Sequence, residues 1–323
     1  MGGMERPRPG RVGGVRGDLG RFVERPIGQA APQIPWEPEE SGSGWAMLAC
    51  PHCREPLPLA RRERRIACPA GHGFDLAKRG YVSLLSGRGR HGLVADDGAM
   101  VAARLEVQTA GLYSPIRDAL AEAARAAAVE GLPEGGLLDV GGGPGYYSIA
   151  VLESGVASYG VTFDLSSYAA RRAARAHAGL VSVVADVWER WPLGSATASV
   201  ALVVFAPRNP AELARVLAPG GVAIVVTPLP HHLSELRDSG MLTVDPRKDE
   251  RLAEQFADFD VFAEQQVEAR IPVTARQAAA IVGMGPSAHH TDLGREFDGE
   301  WAQETRDVTL AVRVATYRPR DRP

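Results

Sequence analysis

A stretch near the middle of the chain, Gly136-Leu-Leu-Asp-Val-Gly-Gly-Gly-Pro-Gly-Tyr146, constrains the fold more than any other segment. It is an apolar run that ends in an acid and then breaks into glycines. This pattern predicts a short buried strand, a tight turn and the start of a helix. Gly141, Gly143 and Gly145 leave backbone N–H groups uncovered where a helix N-terminus would point, so a ligand can approach closely.

The spacing of these glycines distinguishes between two classes of nucleotide cofactor. The dinucleotide pattern G-x-G-x-x-G does not fit, because counting from Gly141 puts Tyr146 where the last glycine belongs. The pattern that fits is Asp139-x-Gly141-x-Gly143-x-Gly145, which resembles the first motif of class I S-adenosylmethionine (SAM) methyltransferases. The alternative is a glycine-rich turn that holds no ligand.

Strands and helices alternate around this stretch. Strands are predicted near 136–141, 157–163, 180–185, 199–205 and 221–227, and helices near 97–111, 114–130, 145–154, 166–178, 210–217 and 231–239. Val/Ile/Leu/Ala-rich strands that alternate with helices indicate a parallel, doubly wound α/β sheet. Helices near 248–258 and 274–283 and an antiparallel strand pair at 260–271 and 307–317 would complete a seven-stranded, Rossmann-like methyltransferase sheet.

Acidic residues follow the predicted strands at the edge where such sheets bind ligands. Asp164 ends the second strand, where an acid would take the ribose hydroxyls of a nucleoside. Capping of the next helix before Ser166 is its alternative role, and the two roles can coexist. Asp186 ends the third strand, where it would meet the adenine amino group or serve as an ordinary turn residue. The predicted cofactor-binding residues are Asp139, Gly141, Gly143, Gly145, Tyr146, Tyr147, Asp164 and Asp186.

The three cysteines lie close together and precede a histidine, in the pattern Cys50-x2-Cys53-x14-Cys68-x3-His72. An odd number of cysteines without a readable export signal argues against a disulfide framework. Two thiolates on one knuckle that face a second Cys/His pair provide the four ligands of a tetrahedral zinc site. A redox Cys-x-x-Cys and unrelated free thiols are the alternatives, but neither gives the second pair a role. His52 is less suited as a ligand because it sits inside the first knuckle.

Composition divides the chain into four predicted segments. Residues 1–46 form a disordered tail, 47–86 a zinc-binding module, 87–113 a linker and helix, and 114–323 the methyltransferase domain. Between Cys50 and Arg90, nine Arg/Lys residues stand against three acids, which suits phosphate contacts or a merely solvated basic face. No uncharged apolar run reaches the length of a membrane span, and no secretory signal is readable. We therefore expect a cytoplasmic protein that does not associate with membranes.

Several segments, taken in order, resemble one protein family. They are the metal knuckles, Gly73-Phe-Asp-Leu-Ala-Lys-Arg-Gly-Tyr-Val-Ser-Leu-Leu85, Asp96 with Met100 and Arg104, Ala110-Gly111-x-Tyr113-x-Pro115, Asp139 to Tyr147, Ala206-Pro207, Ala211-Glu-Leu-Ala-Arg-Val-Leu-x-Pro-Gly-Gly221 and Thr227-Pro228…His232-Leu-x-Glu-Leu236. Together they are similar to the RlmA family of 23S rRNA (guanine-N1)-methyltransferases over roughly residues 48–240.

The resemblance implies a zinc-bearing RNA-recognition module joined to a SAM-dependent catalytic domain, usually as a homodimer. Cys50, Cys53, Cys68 and His72 would be the zinc ligands, and the Asp139–Gly145 loop with Asp164 would hold SAM. The product would be N1-methylguanine in a hairpin loop of 23S rRNA, and some relatives confer macrolide resistance. Two departures from the family stand out. Gly142 and Pro144 replace a frequent Cys and Glu, and Arg208-Asn209 stand where relatives often show Cys, which puts the choice of target base in question.

Methylation at guanine N1 requires that the proton on this nitrogen leave, so a general base or a solvent path is needed. Arg208 and Asn209 are candidates to grip O6 or a phosphate, and His232 is the titratable candidate, although we favour a structural role for it. The base must be unpaired or flipped out. Tyr146, Tyr147 and Phe205 are candidate stacking residues, with core packing expected for Phe205. The alternative functions are a SAM-dependent small-molecule methyltransferase and a non-catalytic RNA-binding relative.

Overall fold

An eight-stranded sheet organises the protein. The structure, a computed structural model, describes residues 43–60, 64–86, 95–237, 254–285 and 305–320. Most of the predicted tail, most of the linker and most of the predicted helix 248–258 lie outside these described residues. The order of the strands in the sheet is β10-β11-β9-β8-β5-β6-β7-β4.

All seven strands predicted for the sheet are present. They are β5 (Gly136–Val140), β6 (Gly160–Asp164), β7 (Leu180–Val184), β8 (Ala198–Val204), β9 (Leu217–Pro228), β10 (Phe259–Val273) and β11 (Arg306–Pro319). The first five pair in parallel, while β10 and β11 form the antiparallel pair, with β11 antiparallel to β9. Because β5 lies between β6 and β8, the chain reverses direction across the sheet at β5, and this is where ligands bind in open α/β sheets.

The helices follow the predicted alternation. They are α1 (Gly98–Thr109), α2 (Ser114–Val129), α3 (Tyr146–Glu153), α4 (Ser167–Ala173), α5 (Pro210–Val216), α6 (Ser234–Arg237) and α7 (Ala275–Gly283). Four of these helices have a side-chain cap, since Asp97, Ser166, Asn209 and Thr274 accept hydrogen bonds from backbone N–H groups of the first turn of α1, α4, α5 and α7. The predicted helix at 231–239 begins later than expected, at Ser234, and α6 is its described part.

Two apolar cores cover the two faces of the sheet. Leu137 and Leu138 are adjacent in β5 and both fully buried, but they point into different cores because strand side chains alternate. Helices α2, α3 and α7 pack in the first core. The second core contains α5 and, in place of further helices, the cysteine-rich segment (residues 48–86). Ile66 of this segment is fully buried together with Phe163 and Trp191 of the remaining part of the chain, which we call the catalytic half.

The cysteine-rich segment forms a small antiparallel sheet of β1 (Leu59–Ala60), β2 (Arg65–Ala67) and β3 (Gly73–Asp75). It then contributes β4 (Val82–Ser83), which pairs in parallel with Val183 and Val184 of β7. This eighth strand was not predicted. The segment is therefore joined to the catalytic sheet by backbone pairing as well as by a shared core.

The last residues of the predicted tail pack against the sheet. Gly44–Met47 forms a 3-10 helix in which both Gly44 and Met47 are buried. A Cβ on Gly44 would lie 2.2 Å from the carbonyl oxygen of Gly160, so only glycine allows this close approach to β6. At Gly44, the glycine is therefore explained by close packing.

Candidate active site and metal centre

The glycine loop lies at the carboxyl end of β5. Gly141, Gly143 and Gly145 have φ angles of +63°, +57° and +87°, in the left-handed region that favours glycine. A Cβ on Gly142 would lie 2.3 Å from Oγ1 of Thr162 and 2.5 Å from Cγ of Asp139. The loop backbone thus packs directly against the ends of β5 and β6. Each glycine of the loop is required either by a left-handed φ angle or by a close neighbouring atom.

Asp139 lies beneath this loop and is fully buried. Its Oδ2 accepts a hydrogen bond of 2.5 Å from Ser148 Oγ, whereas its Oδ1 has no hydrogen-bond partner among the described residues. Burial raises the pKa of Asp139 from 3.8 to about 7, against the lowering effect of the Ser148 hydrogen bond. The geometry indicates that this acid shapes the loop from behind and does not face a ligand.

Asp164 ends β6 and connects it to the loop. Its Oδ2 accepts from the backbone N–H of Gly143 at 3.0 Å, and its Oδ1 accepts from that of Ser166 at 2.8 Å. Burial raises the pKa of Asp164, and these hydrogen bonds oppose the shift. Ser166 itself caps α4, by accepting from Ala169. Asp164 thus orders the turn before α4 and also places a carboxylate beside the loop.

Asp186 follows β7 and lines a cavity between the cysteine-rich segment and the catalytic half. Its Oδ1 accepts from the backbone N–H of Trp188 at 2.9 Å. The cavity has a volume of about 410 Å³, and Arg54 and Ser86 line it from one side while Glu189 and Arg190 line it from the other. Asp186 is therefore a turn residue whose carboxylate also borders an open space.

Helix α1 places the side chain of Arg104, a cation, next to the glycine loop. Arg104 was not among the predicted site residues. The Nη2 atom of Arg104 lies 2.5 Å from Oδ2 of Asp96 and donates to the carbonyl oxygen of Met284 at 2.9 Å. Its Cδ lies 3.5 Å from the position of a Cβ on Gly143. Its Nε is buried without a hydrogen-bond partner in the described part of the chain. Asp96 and Arg104 carried the family resemblance, but nothing local marked them as ligand-binding residues.

Tyr146 and Tyr147 begin α3 directly after the loop. Their side chains are 4% and 7% exposed, and their rings meet edge to face at 5.1 Å. Burial raises the pKa of both hydroxyl groups. These rings pack in the core and do not offer a face on which a base from solution would stack, so near the ligand only the backbone N–H groups of this first turn are available.

The three catalytic candidates are held in different ways. Asn209 caps α5 by accepting from the backbone N–H of Glu212 at 3.3 Å, and its Nδ2 donates to the carbonyl oxygen of Val187 at 3.4 Å. Both contacts are structural. Arg208 donates to Oε1 of Gln255 at 3.3 Å, and burial lowers the pKa of its guanidinium group.

His232 is buried, and its Nδ1 accepts a hydrogen bond from the backbone N–H of Ala311 at 3.1 Å. Neutral His232 therefore carries its proton on Nε2, since Nδ1 is the acceptor. A proton taken up on Nδ1 would break the bond to β11. The structure thus favours the structural role over that of a general base.

The expectation that Phe205 packs in the core is wrong. The residue is 38% exposed and has a φ of 54°, which is unusual for a bulky side chain. Its ring stacks on that of His232 with centroids 5.8 Å apart and meets that of Tyr113 at 6.4 Å. An apolar residue at the end of an apolar run looks like a continuation of the strand, and its backbone conformation is not readable from the sequence.

The structure brings the four predicted metal ligands together. The ligand atoms of Cys50, Cys53, Cys68 and His72 all lie within 4.8 Å of one another. Sγ of Cys53 lies 3.5 Å from Sγ of Cys68, which in turn lies 3.3 Å from Nδ1 of His72. Tetrahedral zinc, with bonds of about 2.3 Å to sulfur and about 2.0 Å to nitrogen, needs separations of this size.

Two thiols of the cluster differ in pKa, since the pKa of Cys53 is raised while that of Cys68 is lowered. Burial acts to raise the pKa of Cys68, but hydrogen bonds from Cys53 and His72 outweigh it and lower this pKa from 9.0 to about 6. His52 lies outside the cluster, and its ring stacks on that of Phe74 at 5.8 Å.

In the described residues, no helix combines the length and the apolar character that crossing a membrane would require.

Comparisons with known proteins agree with this site. The family model described as RlmA, N-terminal, a zinc ribbon, matches residues 48–91. The chain is 43% identical over 288 residues to a provisionally named 23S rRNA (guanine-N(1)-)-methyltransferase of Micromonospora griseorubida, covering 84% of this chain and 97% of that protein.

It is 42% identical over 280 residues to the 23S rRNA (guanine(748)-N(1))-methyltransferase of Streptomyces fradiae, covering 84% of this chain and 96% of that protein. Identity to YxjB of Bacillus subtilis (strain 168) is 32% over 213 residues, which covers 63% of this chain and 72% of YxjB. At this identity and coverage, the chain belongs to the RlmA family of 23S rRNA (guanine-N1)-methyltransferases.

Proposed function

We propose that this protein transfers a methyl group from SAM to N1 of a guanine in 23S rRNA. One observation supports this most directly. The glycine loop at the end of β5 is tied to the acid at the end of β6 by the 3.0 Å bond from Gly143 to Asp164. A nucleoside cofactor binds at such a junction of a doubly wound sheet. The names of the relatives then supply the acceptor.

The residues around the loop fit SAM. The loop backbone would meet the methionine part, and Asp164 would accept from the ribose hydroxyls. The Arg104 guanidinium, whose buried Nε has no partner among the described residues, would pair with the methionine carboxylate. Asp186 would accept from the adenine amino group. When bound, SAM supplies the electrophilic methyl group, and the protein contributes mainly position and the exclusion of water.

Zinc would be held by Cys50, Cys53, Cys68 and His72. Four protein ligands leave no open coordination position, which is typical of structural zinc sites. The ion would therefore stabilise the segment that includes β1 to β4. The basic residues of this segment, such as the exposed Arg64 and Arg65, would contact the RNA phosphates.

The chemistry at guanine N1 requires that its proton leave before or during methyl transfer. Of the three catalytic candidates, Arg208 would suit this chemistry best, because a guanidinium placed on O6 would stabilise the deprotonated base. Asn209 and His232 are already engaged in structural hydrogen bonds. The proton would then pass to solvent along the exposed side of the site.

Further parts of the proposal concern the setting of the reaction. The substrate would be a hairpin loop of 23S rRNA whose target base is unpaired, in the cytoplasm, and the enzyme would act as a homodimer. Residues 47–86 would form the zinc-binding RNA-recognition module, with the Gly44–Met47 turn as its start, and residues 114–323 the catalytic domain. A link to macrolide resistance would follow if the methylated base lies at the macrolide site.

The test is methyl transfer from tritiated SAM to 23S rRNA that lacks the modification, with 16S rRNA as the control substrate. Reverse-transcription stops on rRNA from a deletion strain and its parent then map the base, since N1 methylation blocks pairing. We expect label in 23S rRNA only and one stop that depends on the gene. Firm SAM binding without transfer to any rRNA would refute the proposal and favour a small-molecule acceptor, whereas loss of SAM binding would indicate a non-catalytic relative.

A further inference from the structure

Phe205 combines two features that packing alone does not explain. The residue holds a left-handed backbone conformation that costs a bulky side chain free energy, and more than a third of its surface is nevertheless exposed. A phenylalanine that served only the core would avoid both costs. Strained, exposed residues of this kind cluster at functional sites.

We propose that the Phe205 ring is the surface on which the target guanine stacks. This inference rests on the proposed function and assigns the surface that would hold the face of the acceptor base, whereas Arg208 would contact its edge. Aromatic rings are the usual partners of unpaired RNA bases, because every base offers a π face.

The ring is held in place by its neighbours. His232 stacks on it with an interplanar angle of 29°, and Tyr113 meets it at 60°. The His232 ring is in turn fixed by the 3.1 Å bond from Ala311 to its Nδ1. The backbone N–H of Phe205 donates to the carbonyl oxygen of Val226 at 3.2 Å, which anchors the strained residue to β9. The platform is therefore pre-organised, and a base that stacks on it would lose little further entropy in the protein.

The position of the ring suits methyl transfer. Phe205 directly follows β8, the strand next to β5 on the side away from β6. The next residue, Ala206, has its Cβ only 2.8 Å from the place of a Cβ on Gly141. A base on Phe205 would thus lie beside the loop that would hold SAM, on the side opposite the ribose-binding acid at the end of β6.

The experiment compares four forms of the full chain: wild type, Phe205→Leu, Phe205→Tyr and Phe205→Trp. We expect Phe205→Leu to lose roughly 10- to 100-fold in kcat/KM for 23S rRNA, the range that loss of one base-stacking contact produces. The two aromatic variants should keep a kcat/KM near the wild-type value. The affinity for S-adenosylhomocysteine, measured by calorimetry, should be unchanged in all four.

A matched control is Phe262→Leu. Phe262 is a partly buried aromatic residue on β10, at the far edge of the sheet, and its ring contacts the Arg318 guanidinium at 4.5 Å. We expect this variant to keep wild-type kcat/KM. Thermal unfolding of each variant shows whether it is folded.

A second readout reports stacking directly. A synthetic 23S rRNA hairpin carries the fluorescent base 2-aminopurine in place of the guanine that the wild type methylates. At saturation we expect the complex with Phe205→Leu to be brighter than that with wild type or Phe205→Trp, because an aromatic ring quenches a stacked 2-aminopurine.

Three results would overturn the inference. Activity of Phe205→Leu equal to that of wild type would exclude a stacking role. A fall in cofactor affinity that accounts for the whole loss of activity would make Phe205 a wall of the cofactor pocket instead. Finally, equal fluorescence of the wild-type and Phe205→Leu complexes would show that the base does not stack there. A wild type that methylates no RNA would refute the proposed function itself, and is distinguishable from these three.

Discussion

Ser148 Oγ donates to Asp139 Oδ2 across 2.5 Å, and this bond joins the first turn of α3 to the end of β5. It is one of the contacts that hold the glycine loop between a strand and a helix. Asp139 is fully buried at this position, and burial raises its pKa to about 7. The loop that would bind SAM thus rests on a carboxyl group that titrates near neutral pH.

This pKa predicts how stability depends on pH. The folded pKa of Asp139, about 7, lies above the ordinary value of 3.8, so the folded state keeps a proton that the unfolded chain releases in between. The contribution of this group to stability is therefore full below pH 4, falls as the pH rises from 4 to 7, by about 4 kcal/mol at most, and changes no further above 7. We expect Asp139→Asn to flatten this slope in urea unfolding at pH 5, 6, 7 and 8.

Ser148→Ala serves as the companion variant. It removes the hydrogen bond that lowers the pKa of Asp139, so the slope should extend to higher pH and the variant should lose about 1–3 kcal/mol of stability. An unaltered slope in both variants would show that Asp139 is not the titrating group.

Gly142→Ala tests the close packing of the loop. The new Cβ would meet Oγ1 of Thr162 at 2.3 Å and Cγ of Asp139 at 2.5 Å, so the loop must shift away from the strand ends. We expect SAM affinity to fall about tenfold or more, measured by calorimetry. Gly131→Ala is the control, because Gly131 has a φ of +95° but no atom within 4 Å of its Cβ position. That variant should lose about 1 kcal/mol of stability and keep its SAM affinity; similar losses of affinity in both would argue against a local effect.

Arg104→Gln tests the proposed contact to the methionine carboxylate. A charge-assisted hydrogen bond is worth about 1.5–3 kcal/mol, so the affinity for S-adenosylhomocysteine should fall roughly 10- to 100-fold. The affinity for 5′-methylthioadenosine, which lacks the amino acid part, should not change. A loss that is equal for both ligands would mean that Arg104 only supports the fold.

The control for this variant is Arg276→Gln. Arg276 on α7 pairs with Glu106 on α1 at 2.6 Å and so also links these two helices, but its side chain is 83% exposed. Removing this surface pair should leave both affinities unchanged.

Removal of the metal should affect more than the cysteine-rich segment. We expect about one zinc per chain by elemental analysis, and none in Cys68→Ser. Because Ile66 shares a core with Phe163 and Trp191, loss of the ion should also lower the melting temperature of the catalytic half. His52→Ala, which alters a histidine outside the cluster, should keep its zinc. Unchanged melting of the catalytic half in Cys68→Ser would show that the two parts are energetically independent.

The sequence predicted what depends on local pattern. The parallel strands were readable because each is a short apolar run, and the glycines of the loop because left-handed backbone positions select for glycine. Strand β4 was not readable, since Val82 and Ser83 form a strand only by pairing with β7. The position of Arg104 beside the loop was not predicted, and Phe205, a candidate stacking residue, was expected in the core, for a related reason. Arg104 lies beside the loop only because α1 packs there, and the left-handed φ angle of Phe205 is a property of the folded backbone.

The eighth strand also bears on how this chain can be divided. A fragment that begins after the cysteine-rich segment would end its sheet at β7, with the backbone N–H and C=O groups that face β4 left unpaired and Phe163 and Trp191 uncovered on one face. Such a bare parallel edge is a template for pairing with other chains. The catalytic half made alone is therefore expected to aggregate, because it would lack both the pairing of β4 with Val183 and Val184 and the apolar cover of Ile66.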